Sequence, residues 1–205
     1  MSHPVPTHPP LAARPTREGA SLFMLGWVAL LWVLEIVDQL FPFLGLDAAG
    51  ITPRDPGDLY SVFTAPFVHY GFSHLIANTV PFFVLGLLIL LSGVRTFVVA
   101  TGASVLASGL AVWLLSAPGT LTAGASGVVF GWLAFVLARG LFTANLNHLL
   151  IGVVVFAIYG GVLWGVFPTA PGVSWLGHLG GAIGGVLAAW WLSRRGNDQS
   201  AIPQA

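Results

Sequence analysis

The chain has 205 residues, 56% of them hydrophobic and only 7% charged, with 26 Gly and no Cys. A soluble domain carries about 25% charged residues, so this composition cannot cover a water-exposed surface and points to an integral membrane protein. Seven Arg balanced by seven acids leave no basic excess for nucleic acid, and without Cys there are no disulfides, thiolate metal sites, iron–sulfur clusters or thiol nucleophiles.

Residues 1–20, rich in Pro and carrying His3, His8, Arg14 and Arg17, read as a disordered cytoplasmic tail. They do not read as a signal peptide, because the apolar run that follows starts late and is long. Six apolar segments come next, at about 21–44, 74–91, 96–116, 124–142, 149–167 and 173–192, each close to the roughly 20 residues that cross a hydrocarbon core. The expected fold is therefore all-α: one six-span bundle over 21–193, with 194–205 as a short cytoplasmic tail. Arg14, Arg17, Arg95, Arg139, Arg194 and Arg195 fall on one side of that weave and only Arg54 on the other. Positive charge in short loops stays cytoplasmic, so both termini are expected on the cytoplasmic side of a cell membrane, with the site opening to the external side. The only long loop, 45–73, is then external. Its mixture of Pro53, Pro56 and Gly57 with Tyr60, Val62, Phe63 and Phe67 suits a segment lying in the interface.

Polar side chains within hydrocarbon mark functional sites, and here they are few. His74 and Asn78 open the second span in FVHYGFSHLIAN, with His69 in the loop upstream. Ser126 opens the fourth span in GASG, Gly124 to Gly127, and His178 lies in the sixth in WLGHLGGAIGG. Spans two, four and six all enter from the external side. At 1.5 Å per residue, Asn78, Ser126 and His178 share one depth, about one or two turns below the surface. Gly181 and Gly185 lie within about 60° of His178 around the helix, and Gly127 and Gly131 form a small-xxx-small pair, which lets helices approach closely in lipid. A serine hydroxyl against an imidazole is a nucleophile with its general base. Asn78, His74 and the N–H groups at the start of span four can donate to an oxyanion. Spans two to six contain no acid, so a dyad is expected rather than a triad.

These residues resemble the rhomboid intramembrane serine proteases. The similarity covers about residues 59–192 and rests on GASG with Ser126, on His178 with its Gly-rich continuation, and on His74-x-x-x-Asn78. It implies Ser126 as nucleophile, His178 as base, and His74 with Asn78 as the oxyanion pair. It further implies Phe130 packed under the histidine where many members have Tyr, transmembrane protein substrates with a small residue before the cut, and no metal, nucleotide or other cofactor. The sequence departs from the family in its external loop, where Leu59-Tyr60-Ser61-Val62 replaces a common Trp-Arg pair. The resemblance therefore does not specify how that loop is anchored.

Other readings account for less of this pattern. Ser126 and Asn78 could be helix-contact residues, back-bonding to a carbonyl or joining helices, and His74 and His178 interfacial or structural. Glu35 and Asp38 suggest an aspartyl protease, but adjacent turns of one helix do not oppose two acids; an interfacial role or a contact with the next loop fits them better. The zinc motif H-E-x-x-H is absent. A transporter would show repeats with broken helices at the midplane, and a metal site built from His69, His74 and His178 would leave Ser126 and Asn78 idle. A catalytically silent rhomboid-like protein that binds membrane-protein clients is the main alternative, although such members typically lack the serine or histidine retained here. Oligomeric state is not legible.

Overall fold

The computed structural model describes residues 14–168 and 172–200. Its helices are α1 (Arg17–Leu40), the single turn α2 (Ser61–Thr64), α3 (Phe72–Leu91), α4 (Val94–Leu115), α5 (Ser126–Thr143), α6 (Leu146–Tyr159), prolonged as 3₁₀ helix over Gly160–Val166, and α7 (Trp175–Ser200). No strand forms among the described residues, and the all-α expectation holds. Five of these segments are long and apolar enough to cross a bilayer: α1, α3, α4, α5, and α6 with its 3₁₀ extension. The expected sixth span is helical too, as α7, but its glycines and His178 dilute its apolar character; its Gly-rich side is packed and Ile183, Leu187 and Trp190 are exposed.

Local chemistry sets the boundaries. Thr16 caps α1 by accepting the Gly19 N–H at 3.1 Å, so the helix begins at Arg17, inside the segment expected as tail. It stops before Pro42, which cannot continue it. Asn145 caps α6 through the N–H groups of Asn147 and His148 at 3.0 and 3.2 Å. α7 runs on to Ser200 rather than ending near Leu192. The remainder of the expected tails, 1–13 and 201–205, lies outside the described residues.

The tightest packing in the bundle is that of α7 against α4 and α5. Glycine makes this possible on two faces at once. A Cβ at Gly181 or Gly185 would collide with the carbonyl of Gly127 or Gly131 on α5, and one at Gly180 or Gly184 with the carbonyl of Ala107 or Ala103 on α4. Backbone thus touches backbone, the close approach that replaces a hydrophobic drive in lipid. α5 is the most enclosed of the five candidate spans. Beside it, Trp27, Phe82, Phe97 and Trp132 form an aromatic core, with Phe82 and Trp132 at 4.8 Å between centroids.

The 45–71 loop is fastened without a Trp-Arg pair. Asp58 accepts the Thr52 N–H at 2.6 Å, and Ser61 Oγ donates to the Asp58 carbonyl at 2.6 Å. Arg54 donates through its backbone N–H to Trp113 O at 2.9 Å and through Nη1 to Leu114 O at 3.1 Å, while Trp113 Nε1 returns a bond to Asp55 O at 3.0 Å. Ile51 and Thr122 exchange two backbone bonds at 2.7 and 3.1 Å, and Gly124 N–H donates to Ala65 O at 2.9 Å. Phe67 stacks on Trp27 with centroids 6.2 Å apart. The loop is thereby tied to the α4–α5 connection that leads into Ser126.

Candidate active site

Ser126 is the first residue of α5. The turn before it is possible because Gly124 takes φ +122°, where L side chains are strained, and a Cβ there would press on the His74 ring, 2.6 Å from Cε1. The glycine thus creates the turn and leaves room for the imidazole. The start of a helix leaves N–H groups without intrahelical acceptors. Val128 and Val129 N–H groups reach Ala125 O, both at 3.0 Å, which leaves those of Ser126 and Gly127 for a ligand.

Ser126 Oγ lies 2.9 Å from His178 Nε2, and His178 Nδ1 lies 2.9 Å from the Gly165 carbonyl oxygen. A carbonyl only accepts, so Nδ1 carries the proton and Nε2 presents its lone pair to the serine hydroxyl. The tautomer needed for a general base is therefore fixed by the backbone rather than by a carboxylate. Phe130, one turn after Ser126, stacks on the His178 ring at 4.0 Å between centroids and 6° between planes. Gly165 lies at the edge of this stack: a Cβ there would stand 2.7 Å from Phe130 Cζ and 3.1 Å from His178 Nδ1.

Asn78 is buried, and its Nδ2 donates to the His74 carbonyl at 2.9 Å, leaving a second amide proton. Pro81, inside α3, lacks the N–H that would bond Ala77. Ser126, His178, His74, Asn78, Ala77 and Pro81 all line one open cavity of about 880 Å³. The four candidate catalytic residues therefore meet at one cavity, with Gly124, Gly127, Phe130 and Gly181 as the packing that puts them there.

A family model described as the Rhomboid domain matches residues 56–195. The chain belongs to the rhomboid family. An uncharacterized protein of Mycobacterium tuberculosis is 43% identical to it over 190 residues, covering 89% of this chain and 79% of the relative. One from Mycobacterium leprae is 42% identical over 190 residues, covering 89% and 75%. Together with the apolar helices, this makes the chain an integral membrane protein of the rhomboid family. The matched stretch contains all eight residues named above and leaves out α1.

Several features of this rhomboid were not legible in its sequence. His69, read there as a loop histidine, is 2% exposed, and its Nε2 accepts the Ala125 N–H at 3.3 Å, directly before the serine. Its ring meets His74 edge-on at 5.1 Å. Burial, with the His74 ring adding to it, pushes the His69 pKa down to about 4, so it stays a neutral acceptor. Gly165 carried no signal beyond being a glycine in an apolar run. Glu35, expected at the interface or in contact with the next loop, is 2% exposed and shares a cavity with Phe63, Phe67 and Val68 of that loop.

Proposed function

We propose that this rhomboid is an intramembrane serine endopeptidase that cleaves peptide bonds in or beside transmembrane segments of other membrane proteins. The observation that carries the reading is the relay from Ser126 Oγ to His178 Nε2 and from Nδ1 to the Gly165 carbonyl, at 2.9 Å each. His178 Nε2 takes the hydroxyl proton as Ser126 Oγ bonds to the scissile carbonyl carbon. The developing oxyanion is held by the Ser126 N–H, the free amide proton of Asn78 and the His74 ring. Collapse breaks the C–N bond, and His178 returns its proton to the leaving amine. A water then gives a proton to His178, attacks the acyl ester and releases the carboxylate, and the proton returns to Ser126.

Six spans with both termini cytoplasmic would open this cavity to the external side, where water reaches it. A substrate helix has to enter from the side and unwind, since its peptide bonds are shielded by their own hydrogen bonds. A small residue before the cut and helix-weakening residues nearby are the expected preference. The chemistry needs no metal or cofactor.

The test is cleavage of a transmembrane reporter by purified wild type and Ser126→Ala in liposomes, with EDTA throughout, alongside labelling by a fluorophosphonate. Cleavage and labelling by wild type alone support the reading. Cleavage retained in Ser126→Ala overturns the nucleophile. A folded wild type that neither cleaves nor labels favours the catalytically silent alternative.

A further inference from the structure

Behind the site, between α1 and the 45–71 loop, lies a second cavity of about 270 Å³. Leu34, Phe63, Phe67 and Val68 give it apolar walls, and Glu35 and Asp38 line it from α1. Glu35 is 2% exposed; its Oε1 accepts from Gln39 Nε2 at 3.1 Å, and the Gly71 N–H also acts on the carboxylate, but its buried Oε2 makes no close hydrogen bond. Asp47, next to the wall residue Leu46, also has a buried unpartnered oxygen, Oδ1. The charges of Asp38 and Asp47 both act on Glu35, and none of the three acids forms an ion pair among the described residues. Burial, with the Asp38 charge adding to it, pushes the Asp47 carboxyl above its usual range.

Buried carboxyl oxygens call for a partner, and a carboxyl held out of water either takes up a proton or meets a cationic donor. A metal ion does not fit, because no three His, Asp or Glu side chains among the described residues converge closely enough to hold one. Water alone would leave the apolar walls unused. The arrangement matches a molecule with one cationic donor group at the end of an apolar body: the ammonium pairs with Glu35 and the chain lies against Leu34, Phe63 and Phe67.

We infer that this cavity binds a membrane-borne primary amine, an ammonium group on an apolar chain, with Glu35 as its anchor. His69 forms part of the cavity wall, and its Nε2 takes the Ala125 N–H beside Ser126. Occupancy therefore reaches the neighbour of the nucleophile through one side chain. The binding does not depend on whether Ser126 hydrolyses anything.

The experiment titrates the detergent-solubilised full chain with n-decylamine and, separately, with n-decanol, reading the unfolding temperature. Decylamine should raise it saturably and decanol should not. Glu35→Gln should weaken binding by about tenfold or more, and Asp55→Asn, outside the cavity, should leave it unchanged. Ala49→Leu, which fills the cavity without touching a charge, should abolish binding and serves if Glu35→Gln fails to fold. Equal stabilisation by decanol, no stabilisation by either, or unaltered binding in both cavity variants overturns the inference. Repeating the titration with phosphatidylcholine vesicles, with and without phosphatidylethanolamine, identifies the source. Competition by phosphatidylethanolamine assigns a lipid headgroup, and retained decylamine binding without competition assigns a free alkylamine.

Discussion

The Gly165 carbonyl oxygen stands 2.9 Å from Nδ1 of His178, in the place where a soluble serine protease sets a carboxylate. A neutral acceptor fixes the tautomer but gives less stabilisation to an imidazolium than an anion would. It also ties the base to the Gly160–Val166 segment. Gly165→Val adds atoms where a Cβ already meets Phe130 Cζ at 2.7 Å and Nδ1 at 3.1 Å. It should displace the imidazole and lower kcat by about 10²-fold, with the unfolding temperature far less affected; single-turnover cleavage of a reporter reads this.

Phe130 covers a face of the same ring, stacked at 4.0 Å. Phe130→Ala removes that wall and leaves a cavity, so cleavage should fall by about tenfold or more, whereas Phe130→Tyr keeps the stack and should stay within about threefold of wild type. Equal losses in the two variants would show that stacking does not position His178. Steady-state kcat for the three proteins decides it.

Gly181 and Gly185 meet the α5 backbone directly. Gly181→Ala or Gly185→Ala should force α5 and α7 apart, costing about 1–3 kcal/mol and lengthening the Ser126–His178 contact, so that stability and fluorophosphonate labelling fall together. Gly26→Ala on α1 has open space around its new Cβ and should be neutral or slightly stabilising. Denaturant titration of the four proteins gives the comparison.

The acid sensitivity of the fold should depend on His69. Its folded pKa of about 4 lies below the ordinary value of 6.5, so the unfolded chain takes up a proton that the folded chain refuses. The stability is fully present above about pH 6.5 and declines as pH falls toward 4, by about 3 kcal/mol at most. His69→Gln, which keeps an acceptor without titrating, should flatten that slope. Unfolding curves at pH 4.5 and 7.5 test it, and an unchanged slope would place the acid sensitivity elsewhere.

What the sequence made legible was the chemistry that has few substitutes. Ser126, His178 and Asn78, which line one cavity, stand out in the sequence because a polar residue in hydrocarbon is conspicuous. The Gly-rich face of α7 was visible as periodicity on the α5 side; its second face, Gly180 and Gly184 against α4, was not separated from it. The residues that orient the machinery stayed hidden for a physical reason. Gly165 acts through a carbonyl that every residue has. His69 and Glu35 owe their roles to how the 45–71 loop folds back, and that folding is built from backbone pairs such as Ile51 with Thr122, which leave no mark in residue type.

The backbone-to-backbone seam between α5 and α7 has a mechanical consequence. Where Gly181 and Gly185 meet Gly127 and Gly131, no side chain separates the helices and there is no rotamer to adjust; the separation there is set by atomic radii and is as incompressible as the peptide groups themselves. A change in lateral pressure or bilayer thickness will act on the compliant outer elements, α1 and α6, whose faces rest on lipid. The spacing of Ser126 and His178 is insulated from it, so the lipid environment should alter how often a polypeptide reaches the serine far more than what happens once it is there.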